Sequence, residues 1–173
     1  MNTKAAMASM DNTDQKYVWY ACYGSNLSLS RFMEYINNCA DKTEPRESRS
    51  FQIPHRLYFG NTSCRWDCMA VAFLDPKMDP MEKTYSRLYR ITNAQYLDVK
   101  VQEGFKYCYA LNLGKLEGMP IVSFTSPILF HPRIPSKSYL DVIRTGLKEI
   151  WSELGTDEHE RYLKDHICTL EED

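Results

Sequence analysis

Apolar positions along this chain alternate between strand-like and helical rhythms. Tyr17–Tyr23 (YVWYACY) is a dense aromatic and β-branched run that stops at Gly24, the pattern of a buried strand. After the turn Gly24-Ser25-Asn26, Leu29, Phe32, Met33 and Ile36 recur at helical spacing, with Ser28 placed to cap a helix. From Ser50 the runs shorten and predict strands over Ser50–Ile53, Leu57–Phe59, Met69–Leu74, Tyr85–Ile91, Tyr107–Leu113 and Ile121–Phe124, separated by Pro, Gly, Asn and Asp clusters. Between the fourth and fifth of these lies a short helix over Asn93–Gln102, with Thr92 or Asn93 as its cap and Gly104 just past its end. Beyond Pro132 and Pro135 the helical period returns. Ser138 followed by Asp141 opens an amphipathic helix carrying Leu140, Ile143, Leu147, Ile150, Trp151 and Leu154 on one face, and a second helix follows from about Asp157 to Ile167.

Short strands without a βαβ alternation argue against a doubly wound sheet and predict an α+β fold: a small mixed or antiparallel β-barrel of about six strands with flanking helices. A length of 173 residues suits one domain, expected over residues 17–173, behind a polar, aperiodic leader over 1–16. Hydrophobic content of 43% and charged content of 25% exclude a wholly disordered chain. With no apolar run of roughly 18 residues, a membrane partner is not expected.

The net charge of −2 is uneven. Residues 141–173 carry 10 acidic and 4 basic side chains, a solvated acidic stretch, and nothing resembles the basic footprint of a nucleic-acid binder. The six cysteines (22, 39, 64, 68, 108 and 168) include no CxxC pair, and the first 16 residues hold no secretory apolar core. Reduced thiols and a cytoplasmic location are the expectation. Cys64 and Cys68 would share a metal only on a helix, and no histidine pair has matching spacing, so no metal site is expected. The aromatic content of 13% leaves room for a homodimer patch.

No dinucleotide, P-loop, zinc-protease, calcium-loop or nucleophile-elbow motif occurs. What remains is the turn Tyr23-Gly24-Ser25-Asn26-Leu27 between a buried strand and a helix start. Free main-chain N–H groups there would form a concavity for a carboxylate or an oxyanion, or Ser25 and Asn26 would only cap the helix.

Together with YGSNL at Tyr23–Leu27, the chain carries Trp66 before a strand, LYRIT at Leu88–Thr92, a helix ending Gln102-Glu103-Gly104, and Pro135-Ser136 followed by Tyr139. In these pieces, in this order, it resembles the γ-glutamylcyclotransferase-like family from about Tyr17 to Trp151. The resemblance implies a small barrel with flanking helices and no cofactor. It implies a γ-glutamyl substrate bound by Tyr23, Gly24, Ser25, Asn26, Leu27 and Tyr139, with Glu103 as catalyst. The chain departs from the pattern at Asp67-Cys68-Met69 and at Ser86, where similar proteins tend to carry glycine.

The implied reaction is intramolecular aminolysis: a γ-glutamyl amide closes on its own α-amine, giving 5-oxoproline and a free amine or amino acid. Tethering and orienting the nucleophile can supply as much as roughly 7–11 kcal/mol of the barrier. One carboxylate can then take the ammonium proton and return it to the leaving nitrogen, the role expected of Glu103 among Leu97, Val101 and Phe105. Two rivals have their own signatures. Acyl transfer through Ser25 or Cys22 needs an adjacent base, and a binding module of the same fold would bind γ-glutamyl compounds without turnover.

Overall fold

The computed structural model describes residues 16–167. The expected leader, apart from Lys16, and Cys168 lie outside the described residues. The elements are β1 (Tyr17–Cys22), α1 (Leu29–Asn37), β2 (Glu47–Ile53), β3 (His55–Ser63), β4 (Met69–Met78), β5 (Thr84–Thr92), α2 (Asn93–Glu103), β6 (Tyr109–Leu116), β7 (Met119–Thr125), α3 (Lys137–Ile150) and α4 (Gly155–His166). Five strands form one mixed sheet in the order β2-β5-β1-β7-β6, and β3 and β4 form a separate antiparallel ribbon. The expected α+β class holds, but among the described residues the ladders do not close into a barrel.

The reason lies in how the ribbon meets the sheet. At one junction the Thr125 hydroxyl donates to the Leu74 carbonyl at 2.6 Å and accepts from the Leu74 amide at 3.0 Å. At the other, the Thr84 hydroxyl donates to the His55 carbonyl at 2.6 Å. Both threonines are fully buried. Side-chain hydroxyls thus stand where ladder bonds would close a barrel, and the buried backbone groups stay satisfied.

The central strand β1 pairs antiparallel with β5 and parallel with β7, so it has no free edge. Its alternation sends Trp19, Ala21 and Tyr23 into one apolar core with the ribbon, α3 and α4. Tyr20 and Cys22 point to the opposite face, into a second core with Phe32 and Ile36 of α1 and Val99 of α2. Burial on both faces explains why its sequence is an unbroken apolar run.

The helices show how local chemistry sets boundaries. At α2, Thr92 accepts from the Gln95 amide at 3.1 Å while the Gln95 side chain accepts from the Thr92 amide at 3.1 Å, a complete capping box. At α3 the cap is Ser136, which accepts from the Tyr139 amide at 3.2 Å, not Ser138, which sits inside the first turn. Trp151 and Leu154 fall beyond the end of α3, and α4 opens at Gly155, two residues before the expected start. Strand β6 begins at Tyr109, leaving Tyr107 in a short turn.

At α1, Ser28 makes no cap bond with its side chain. The Leu29 amide instead donates to Glu149 of α3 at 3.0 Å, placing a carboxylate at the positive end of the helix. The same carboxylate pairs with Arg87 at 2.5 Å, and Arg87 donates to the Leu27 carbonyl at 3.0 Å. Helix α3 approaches this turn closely because residue 146 is glycine. A Cβ there would lie 2.3 Å from the Leu27 carbonyl carbon and 2.6 Å from the Ser28 nitrogen.

Gly146→Ala would gain about 1 kcal/mol of helix propensity but would drive α3 off main-chain atoms that cannot rotate aside. Overpacking typically costs about 1–3 kcal/mol, and contact with main-chain atoms at 2.3 Å puts it at the upper end, so we expect net destabilisation of about 2 kcal/mol by urea unfolding, and an unchanged or raised stability would contradict this packing.

Candidate active site

Gly24 lies two residues past the end of β1 and begins the tight turn through Ser25–Leu27. Its φ of −114° lies outside the left-handed region that favours glycine, and what calls for glycine here is space. A Cβ at Gly24 would lie 2.7 Å from the Tyr139 hydroxyl and 3.2 Å from the Ala72 Cβ. Tyr139 reaches the turn from α3, and its hydroxyl oxygen accepts from the Ala72 amide at 3.0 Å. Trp66 packs edge-on against the Tyr139 ring with centroids 5.0 Å apart.

Around this contact lies a cavity of about 320 Å³, lined by Tyr20, Gly24, Ser25, Asn26, Glu103 and Tyr139 among others. The helix α2 delivers Glu103 to it. Gln95, Val99 and Glu103 are four residues apart on the inward stripe of that helix, and Gln95 and Val99 are fully buried. Leu97, Val101 and Phe105, expected to surround the carboxyl group, are 58%, 79% and 85% exposed and face away. What desolvates Glu103 is instead the second core and the aromatic wall. The Tyr20 hydroxyl donates to its Oε1 at 2.8 Å, while Asn26 Nδ2 at 3.4 Å and the Tyr35 hydroxyl at 3.5 Å make longer approaches.

The electrostatics follow from that setting. Burial pushes the Glu103 carboxyl above the usual carboxylate range, opposed by the Tyr20 hydrogen bond, the Arg31 cation and the Tyr35 hydrogen bond. Burial and the charge of Glu103 raise Tyr20 strongly and push Tyr35 up to about 12, so both stay protonated donors at neutral pH. Asn26 Oδ1 is buried and has no partner, an acceptor left for a ligand.

The residues expected at the site divide. Glu103, Gly24, Ser25, Asn26 and Tyr139 line one cavity. Tyr23 lines it too, but its hydroxyl is committed to the Phe124 carbonyl at 2.6 Å. Leu27 does not: it is fully buried in the first core beneath α3, and its amide closes the turn onto the Gly24 carbonyl at 3.0 Å. Sequence reasoning missed Tyr20, Tyr35 and Arg31. Arg31 is 7% exposed, stacked over Tyr35 at 4.9 Å, with its Nε buried and unpartnered. The signal was available for Tyr20, which the alternation of β1 places opposite Trp19.

For the nucleophile readings the geometry is unfavourable. No histidine among the described residues lines the cavity. Cys22, at the cavity wall, has its thiol pushed up by burial and by the Glu103 charge. Among the described residues no cluster of three metal-ligating side chains occurs, and no helix is long and apolar enough to cross a membrane.

Solved structures with the same arrangement settle the architecture. A gamma-glutamyl cyclotransferase superposes with a TM-score of 0.64 at 20% identity, over 91% of each chain. The chain has the γ-glutamyl cyclotransferase-like fold. An uncharacterized protein from Homo sapiens superposes equally well, at 0.64 and 21% identity over 91% of this chain and 92% of that one. YkqA from Bacillus subtilis does so at 0.57 and 17% identity, over 87% of this chain and 54% of that one. No protein-family model matches. In sequence, the chain is 39% identical over 99 residues to histone deacetylase 5 of Arabidopsis thaliana, a match spanning 50% of this chain and 15% of that protein.

A carboxyl group whose pKa is raised in the folded state binds its proton more tightly there than when unfolded. Its protonated form therefore contributes stability below the ordinary carboxylate value, and that contribution is lost as pH rises through the folded value. Glu103→Gln removes this dependence. The stability of the variant relative to the native chain is expected to rise with pH across that window and to level off above it, and a flat difference from pH 4 to pH 8 would mean Glu103 is not desolvated.

Proposed function

We propose that this protein is a γ-glutamylcyclotransferase-type enzyme, cleaving a γ-glutamyl amide to 5-oxoproline and a free amine or amino acid. The observation that carries the reading is the convergence of one desolvated carboxyl group, Glu103, and the Gly24–Asn26 turn on a single cavity. Fold likeness to a gamma-glutamyl cyclotransferase supports the same class.

In this reading the substrate's α-ammonium lies between Glu103 and the unpartnered Oδ1 of Asn26. Glu103 accepts one ammonium proton. The amine so freed attacks the γ-carbonyl carbon within the same molecule, forming the five-membered ring and a tetrahedral oxyanion, and the ring nitrogen gives up its second proton to solvent. A raised pKa makes the carboxylate a stronger base for the first transfer and a competent acid for the second, in which its proton passes to the departing nitrogen as the C–N bond breaks.

The oxyanion needs donors. The Leu27 and Ser28 amides are consumed inside the turn, which leaves the amides of Gly24, Ser25 and Asn26 as main-chain candidates. The Tyr139 hydroxyl accepts from the Ala72 amide, which leaves its own proton for a bound carbonyl. Each well-placed donor is worth roughly 3–4 kcal/mol in comparable acyl-transfer sites. Ser25 donates rather than attacks.

Incubation with a panel of γ-glutamyl amides, with released 5-oxoproline read by mass spectrometry, tests the reaction class, and the absence of product from every member would reject it. Glu103→Gln keeps the shape and removes proton transfer. It is expected to lower kcat about 10²- to 10⁴-fold while calorimetric binding of the substrate persists, whereas normal turnover in this variant would assign the proton transfers elsewhere. Gly24→Ala, by displacing the buried Tyr139 hydroxyl from the Ala72 amide, is expected to lower kcat and to cost about 1–3 kcal/mol of stability.

A further inference from the structure

Between β3 and β4 the chain makes a short turn, Cys64–Trp66, and then holds Asp67 and Cys68 in the left-handed region at φ 57° and 54°. Glycine is the residue that takes this conformation freely. Two consecutive side-chain-bearing residues in it fold the segment back on itself. The result is a contact in which the Cys68 thiol donates to the Cys64 sulfur at 2.9 Å. Both thiols are free and exposed, in contrast to Cys22 and Cys39 in the core. A disulfide needs about 2.05 Å between sulfurs, and the backbone reversal that brings the side chains together is already in place.

We propose that Cys64 and Cys68 form a reversible oxidation site, closed by exchange with a small-molecule disulfide and fixing the stretch of cavity wall between them. Cys64, the acceptor in that contact, is the attacking sulfur. It displaces one thiolate from the small-molecule disulfide and becomes a mixed disulfide. Cys68 then loses its proton, attacks the Cys64 sulfur and expels the second thiolate. Two protein thiols are oxidised, one small-molecule disulfide is reduced to two thiols, and the two cysteine protons end on the departing sulfurs. The shared proton holds the Cys68 thiol above its ordinary value, which places it second in the sequence.

What the bond encloses gives the site its consequence. Arg65 and Trp66 lie between the two cysteines and both line the cavity. Trp66 carries the Tyr139 ring on one side and lies 5.9 Å from the Arg31 guanidinium on another. Closing the turn therefore acts on the aromatic wall directly, without passing through the core.

The full chain, equilibrated with glutathione disulfide and glutathione at a series of ratios and then alkylated, tests this. Trypsin cuts after Arg56, Arg65 and Lys77, so peptides 57–65 and 66–77 remain joined only through a Cys64–Cys68 bond. The joined pair is expected, with release by dithiothreitol, while Cys64→Ser and Cys68→Ser each stop at a mixed disulfide on the remaining thiol. Oxidation is also expected to shift the intrinsic fluorescence of the native chain, and a double serine variant of unchanged melting temperature should not respond. Peptides that stay separate in excess glutathione disulfide, or a joined pair with unshifted fluorescence, overturn the proposal. Neither readout uses turnover, so the result is independent of the activity proposed above.

Discussion

A half-buried carboxyl group met by neutral donors is the constraint on which the rest of this structure is arranged. The Tyr20 hydroxyl makes the one short hydrogen bond to Glu103, and Asn26 and Tyr35 approach it at longer range. A guanidinium in direct contact would hold the group ionised and weak as a base. Arg31 opposes the effect of burial without overcoming it, because it is committed to Glu34 at 2.6 Å and stacked on Tyr35. For this balance, α2 must end with its last residue over the Tyr20 face of β1. Gln95 sets that register by capping the helix at one end and donating to the Asp41 and Thr43 carbonyls through its side chain.

Opposite the carboxylate, two absent Cβ atoms define the turn. At Gly24 the space is occupied by the Tyr139 hydroxyl, and at Gly146 by the main chain of Leu27 and Ser28. Both Tyr139 and Gly146 belong to α3, so one helix presses on the turn from two levels. Arg87 and Glu149 then tie the Leu27 carbonyl and the Leu29 amide to either side of the same contact. A turn of this kind gains precision from surrounding elements more than from its own sequence. That is why Leu27, the last residue of the motif, serves as a packing residue.

The sequence made the strand–turn–helix opening and the two-faced burial of β1 legible, because an unbroken apolar run bounded by Gly24 admits few other readings. Glu103 could be singled out only by resemblance, since a glutamate before a helix-ending glycine is ordinarily solvated. Its burial was then ascribed to Leu97, Val101 and Phe105, the wrong stripe. The spacing Gln95, Val99, Glu103 carried the right one, masked by the polar character of Gln95. Barrel closure was illegible for a different reason. Whether a threonine hydroxyl takes the place of a ladder bond, as at Thr84 and Thr125, depends on strand approach and not on pattern.

The same carboxylate also bears on the competing chemistry. Cys22 is next to the turn and would be the obvious thiol nucleophile, yet the Glu103 charge and burial both raise its pKa. Strengthening Glu103 as a base by further desolvation would leave the thiolate still less accessible. Ser25, for its part, has no cavity-lining histidine to take its proton among the described residues. A substrate that brings its own amine needs neither side chain as nucleophile. Proton transfer through one acid and attack from within the substrate therefore suit this cavity better than a covalent acyl intermediate.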